Sequence, residues 1–303
     1  MNTSSRRKFL KNSGVALAGA ALFSKNFFEE KKNEHLTGLQ LYSVRDDMKK
    51  DPAGTLKQLA EMGYRYVEHA NYVDRKFYGW NAKEFKKVLD DLGLKMRSGH
   101  TVMNARAWDE GRNEFTDLWK YTVEDAAAVG QVYVISPWLD DSYRKNLDGL
   151  KRFLQVFNKS GELCKTYGMK FGYHNHDFEF NTQVEGQRLY DVILKETDSS
   201  LVIQQMDMGN MYSAGGRPLE LLKQYPGRFK SFHVKDEIKA AGGEQQYESA
   251  VLGTGVMQVK QVIDLAKKIG GTVHFIIEQE SYQGKAPLDS VRENLQIMKK
   301  WGY

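Results

Sequence analysis

The chain has 303 residues but only one cysteine, Cys164, and five prolines. A single thiol cannot build an internal disulfide framework or a CxxC metal knot. No apolar run reaches the roughly 18 residues that a transmembrane helix needs. Beyond the first 32 residues there is also no excess of positive charge. Residues 1–32 hold seven Lys/Arg against two acids, which accounts for the whole formal charge of +5; the rest of the chain holds 37 of each sign. Nucleic-acid binders usually carry a basic excess on the folded domain, so no nucleic-acid partner is expected. The composition, 41% hydrophobic and 27% charged, is that of an ordinary globular protein and excludes disordered and collagenous classes.

The N-terminus reads as an address. Ser4–Lys11 is SSRRKFLK, followed by the short, weakly apolar run Gly14–Phe23. A basic segment before such a run is a secretory pattern. Arg6-Arg7 with Phe9-Leu10 resembles a twin-arginine export signal, so periplasmic export is expected. No cysteine lies nearby to carry a lipid, and no stable membrane anchor is expected. Residues 1–32 are therefore set aside as signal and tail, and residues 33–303 as one domain.

That domain repeats one unit: an amphipathic run, a glycine, then a short β-rich run. The pattern recurs at Gly63, Gly93, Gly130, Gly168 and Gly270, and Gly227 marks another unit. Further strands are expected at residues 38–44 and 201–207. Phe85, Val88, Leu89 and Leu92 form one helical face, as do Val259, Val262, Ile263, Ala266 and Ile269. Asp51-Pro52 and Asn81-Ala-Lys-Glu84 read as helix starts, and each recurring glycine sits where a helix C′ residue belongs. Eight strands alternating with helices predict an α/β fold, a closed (β/α)8 TIM barrel. The alternative, an open doubly wound sheet, would have GxGxxG after its first strand, where LQLYSVRDD stands.

Active sites of such barrels lie at the C-terminal strand ends, and residues i and i+2 share a strand face. Alternation turns His174 and His176 inward on one strand and His233 and Lys235 on another. Glu278 and Glu280 share a third inward face, and Asp207 and Glu68 end two more. Five strands thus aim ionisable groups at one place. Two imidazoles and two carboxylates from consecutive strands form an N/O set suited to Mn, Zn, Co or Fe rather than calcium. His69 and His274 are expected to lie away from the mouth. Gly253-Thr-Gly255 reads as a turn, with a phosphate cradle as the alternative. Trp80, Trp108 and Trp138 fall in βα loops, where they either stack on sugars or pack beneath a loop. Met206, Met208 and Met211 read as core.

GLQLYSVR, the YVE ending at Glu68, YHNHDFEF, MDMGNM, FHVKD and IEQE resemble the xylose isomerase-like barrel family. More narrowly they are similar to its sugar phosphate isomerase/epimerase group, which includes inosose dehydratase-like members. The resemblance covers residues 36–303. It implies one divalent ion (Mn, Zn, Co or Mg) on His174, Asp207, His233 and Glu278. It also implies a small carbohydrate substrate and proton abstraction beside a carbonyl, giving an enediolate. One departure stands out. Many epimerases of the group carry Glu where this chain has His174, paired across the substrate with the last-strand Glu. His176 and Lys235 therefore become the acid/base candidates, with Glu68 and Glu280 behind them. An isomerase or epimerase is the first expectation and a lyase or dehydratase the second. A non-catalytic sugar-binding barrel is a third, and it has no use for a converging metal set. The fold's endonuclease IV-type branch needs a basic face that this chain lacks.

Overall fold

The computed structural model describes residues 35–242 and 246–303. The proposed export segment, residues 1–32, lies outside them. Eight strands form a closed parallel barrel: β1 (Leu36–Gln40), β2 (Tyr66–His69), β3 (Lys95–His100), β4 (Tyr133–Ser136), β5 (Lys170–His174), β6 (Val202–Asp207), β7 (Phe229–Val234) and β8 (His274–Ile277). Each pairs with its sequence neighbour, and β1 closes the ring on β8, Leu36 opposite His274 and Leu39 opposite Ile277. Each strand is followed by a helix: α1 (Pro52–Met62), α2 (Ala82–Asp91), α3 (Asp117–Val129), α4 (Leu147–Thr166), α5 (Leu189–Glu196), α6 (Pro218–Gln224), α7 (Val259–Leu265) and α8 (Pro287–Lys300). This is the (β/α)8 barrel that the repeat predicts.

Local sequence explains the helix ends. The Asp51 carboxylate accepts from the Gly54 amide at 2.9 Å, with Pro52 at the first helical position. Such a cap contributes about 1 kcal/mol. Asn81 and Glu84 exchange side-chain and backbone bonds as a reciprocal capping box. Gly63 and Gly130 close α1 and α3 at φ of 103° and 102°, where a Cβ would be strained. At the end of α7 the expected glycine is displaced by one. Residues Ala266–Gly270 widen into a π-turn, which adds a residue, and Gly271 rather than Gly270 takes the left-handed conformation at φ 59°. The first strand is also shorter than expected. After Gln40 the chain tightens into a 3₁₀ turn, with the Gln40 side chain accepting from the Tyr42 amide at 3.2 Å.

The apolar core lies between strands and helices. Phe171 and Tyr173 of β5 turn outward onto Phe157, whose ring is 5.0 Å and 5.6 Å from theirs. Met206, Met208 and Met211 are buried in this core. Inside the barrel Ile135, Ile203 and Ile276 are buried beside a polar set, Gln40, Glu68, Ser98, Gln205 and Ser231. His69 packs outward, edge-on to Phe77 at 4.9 Å. His274 does lie away from the mouth, but on the inner face. It shares the parity of Glu278 and meets Tyr133 of the opposite strand at 4.8 Å.

Candidate active site

Every residue singled out at the strand ends comes to the mouth of the barrel, though not all reach its cavity. That cavity measures about 850 Å³, and His100, His174, His176, Lys235, Glu278 and Glu280 line its inner end. His176, Asn210, Lys235 and Glu280 separate it from a smaller cavity of about 420 Å³ with a polar lining that includes Glu237, Tyr247 and Ser249.

Asp207, His233 and Glu278 present donor atoms within 4.8 Å of one another. His174 adjoins them, its Nε2 3.8 Å from Asp207 Oδ2. Two features suit this set to a metal ion. The Asp207 Oδ2 atom is buried and faces no neutral hydrogen-bond donor; its close partner is a cation, the Lys235 ammonium 2.9 Å away. The two imidazoles are also anchored through their other nitrogens. Gln205 donates its amide to the Glu68 carboxylate at 3.0 Å, so its Oε1 accepts from His174 Nδ1 at 2.9 Å. That fixes the tautomer and leaves the His174 Nε2 lone pair free. Likewise His233 Nε2 donates to Glu68 Oε1 at 2.6 Å, and Nδ1 faces Glu278 Oε2 at 2.7 Å. Carboxylates and amides behind ligating histidines orient them in this way in metal sites.

The local charges reinforce one another. Burial lowers the pKa of His233, but Glu278 and Glu68 outweigh it and lift it to about 10. A proton and a divalent ion therefore compete for Nδ1. The Lys235 ammonium lies 2.9 Å from both Asp207 Oδ2 and Glu278 Oε2, and also contacts Glu280. Burial works against this ammonium, yet the three carboxylates hold its pKa well above the ordinary lysine range. Glu280, the most exposed of the three acids, offers Lys235 a partner nearer the mouth when an ion takes the deeper carboxylates.

His176 has the opposite character. Burial, with Lys235 adding to it, pushes its pKa down to about 4. At neutral pH it is an uncharged base, edge-on to Trp138 at 5.4 Å. The Glu179 carboxylate accepts from its backbone amide at 2.8 Å and so holds it in place.

Glu68 departs from the acid/base expectation. It is sealed beneath the site, accepting from Gln40 Nε2 at 2.9 Å and from Ser98, Gln205 and His233. Burial pushes its pKa up, but the imidazoles of His100 and His233 and the hydrogen bonds outweigh that and hold it at about 2. Held ionised by these partners and set back from the cavity lining, Glu68 is placed to orient His233 rather than to exchange protons with a ligand.

Two participants escaped the sequence reading. His100 stacks on His233 with ring centroids 5.0 Å apart and donates from Nε2 to Gln205 Oε1 at 2.6 Å. Alternation carried along Lys95–His100 finds it, since it shares the inward face of Ser98. Gln205 left no such signal, because an amide carries no charge and belongs to no ligand set. The Gly253–Gly255 loop does cradle an anion, but an internal one: the Asp236 carboxylate accepts from both glycine amides, at 2.8 Å and 3.0 Å. Of the three loop tryptophans, Trp138 lines the cavity. Trp80 and Trp108 pack against Phe85 and Phe115.

Comparison with known proteins agrees with this fold. The model of the xylose isomerase-like TIM barrel family matches residues 56–301. An inosose dehydratase of Clostridium perfringens is 36% identical over 192 residues, covering 60% of this chain and 62% of that protein. A sugar phosphate isomerase/epimerase of Parabacteroides distasonis superposes with a TM-score of 0.75 at 26% identity, covering 89% of this chain and 96% of the other. The IolI protein, solved with a bound zinc atom, shares the fold at 14% identity and a TM-score of 0.66, over 88% of this chain and 97% of that one. The chain belongs to the xylose isomerase-like TIM-barrel family.

Proposed function

We propose that this protein is a divalent-metal-dependent enzyme that removes a proton beside the carbonyl of a sugar or keto-sugar and returns one, at the neighbouring carbon as an isomerase or at the same carbon from the opposite face as an epimerase. The observation that carries this reading is that His176 and Lys235 line one cavity beside an N/O donor set. His174, Asp207, His233 and Glu278 would hold the ion. When bound, a divalent ion supplies Lewis acidity that stabilises negative charge on adjacent substrate oxygens. His176 takes the proton from carbon, leaving an enediolate, and Lys235 donates to the developing oxygen or returns a proton. Glu280 steadies Lys235 in its charged form, and Glu68 and Gln205 keep the two ligating imidazoles in register.

A β-elimination is the second reading. His174 replaces one carboxylate of the pair used for two-faced proton transfer, and the sequence relatives include inosose dehydratases. Both readings share the first step and diverge after it. Incubating the metal-replete protein with a panel of keto-sugars in deuterated water separates them. Isomerisation conserves the skeleton and puts deuterium on carbon; elimination loses water or an alcohol and raises an enone absorbance. Metal-replete protein that produces neither with any panel member would sink both readings in favour of a binding protein.

Export is a further proposal, resting on Arg6-Arg7. The Arg6→Lys, Arg7→Lys double variant keeps the charge and removes the pair. It is expected to accumulate inside the cell. Wild-type export of that variant, read by cell fractionation, refutes the twin-arginine assignment.

A further inference from the structure

Exposed apolar side chains are normally scattered. Here Tyr42, Val73, Val102, Leu118, Tyr121 and Trp138, all 40–59% exposed, line the same cavity as the histidines and Lys235. Among the large hydrophobic side chains of the described residues, only Tyr167 and Val256 stand exposed elsewhere to that degree. The cavity therefore has a charged inner end and an outer end where these apolar side chains stand among Asn71, Asp74, Asn104 and Arg106. Its roughly 850 Å³ lies toward the top of the ~300–1,000 Å³ that houses drug-sized ligands, more than one sugar ring fills.

The outer end is built rather than loose. The hairpin carrying Val73 turns through Asp74 and Arg75, both left-handed at φ 49° and 60°. Arg75 donates through two nitrogens to the buried Asp125 of α3, at 2.6 Å and 2.9 Å, and Tyr72 donates to the same carboxylate at 2.6 Å. The Arg75 guanidinium lies 4.1 Å above the Tyr121 ring. These contacts clamp the hairpin to α3, so that Val73, Leu118 and Tyr121 line one fixed side of the cavity.

We infer that the substrate is a keto-sugar glycoside bearing an apolar appended group, with the ketone-bearing ring at the charged end and that group against Val73, Leu118 and Tyr121. This rests on the sugar reading proposed above and narrows its substrate class. Continuity of the apolar surface with the catalytic end favours a part of the substrate over a partner protein as its occupant.

Binding of two non-reacting probes to the metal-loaded, full-length protein tests this by calorimetry: methyl glucoside and phenyl glucoside. The phenyl compound is expected to bind at least tenfold more tightly. Leu118→Asp and Val73→Asp, both at exposed positions that folding tolerates, are expected to bring it down to the methyl level and leave methyl glucoside unchanged. Equal binding of the two probes overturns the inference and leaves the sugar reading standing. Binding of neither also overturns the inference, while the sugar reading stands or falls on the keto-sugar panel. If Leu118→Asp instead converts a dimer to a monomer by light scattering, with the phenyl preference intact, the rim joins copies of this chain and the inference fails.

Discussion

His233→Ala is expected to purify without its divalent ion. The imidazole lies where the Asp207, Glu278 and Glu68 carboxylates meet: Nδ1 is 2.7 Å from Glu278 Oε2 and 3.9 Å from Asp207 Oδ2, and Nε2 is 2.6 Å from Glu68 Oε1. Deleting it removes a donor atom and leaves the Lys235 ammonium as the one cation shared by Asp207 and Glu278, with none beside Glu68 but His100. Losing an outer-shell partner alone typically costs about 10–100-fold in metal affinity. Losing a ligand together with its link to Glu68 should cost more. The substitution also strips Glu68 of its shortest nitrogen contact, and breaking a buried pair costs about 3–5 kcal/mol, so a lower melting temperature should accompany the loss. Asp207→Asn serves as the milder companion, since it keeps the shape and removes the charge that faces Lys235 and the donor set. Elemental analysis of folded protein reads the result. A full complement of metal in folded His233→Ala, or a metal-free wild type after growth in manganese and zinc, removes the basis for the centre.

His176→Ala is expected to do the reverse: lower turnover by about 10²–10⁴-fold, the usual contribution of a general acid or base, with metal content near wild type. The grounds are geometric. His176 lines the cavity, its Nδ1 has no hydrogen-bond partner, and burial keeps it uncharged near neutral pH. Its neighbour two residues back behaves differently: His174→Ala should lower metal content, because the Nε2 freed by Gln205 faces Asp207. Loss of proton-exchange activity and of metal are measured on the same preparations. If both variants lose metal equally, the division of labour between the two histidines is wrong.

Much of this architecture is local and could be read along the chain. The glycine after each amphipathic run is a backbone requirement, met at Gly63 and Gly130 by conformations that a side chain would strain. Asp51 and Asn81 cap helices through contacts three residues away. Alternation on a strand is equally local, so His174, Asp207, His233, Lys235 and Glu278 could be turned toward the mouth before any contact between them was known. Where the local rule changed, at the π-turn before Gly271, the reading slipped by one residue.

The strand periodicity of the sequence determined which residues point inward; closure of the barrel decided which of them meet. Glu68 and His233 are 165 positions apart, and Glu68 and Gln205 are 137 apart. Nothing in either strand says that Glu68 ends beneath its neighbours with every donor directed at it. The same closure brings His100 against His233, sets Lys235 among three acids, and fills the Gly253–Gly255 cradle with Asp236. An ionisable side chain becomes a ligand, a base or a buried support according to depth and partners. Both depend on how eight strands share one cylinder, so the distinction between Glu68 and Glu278, identical in chemistry and both turned inward, exists only in the folded molecule.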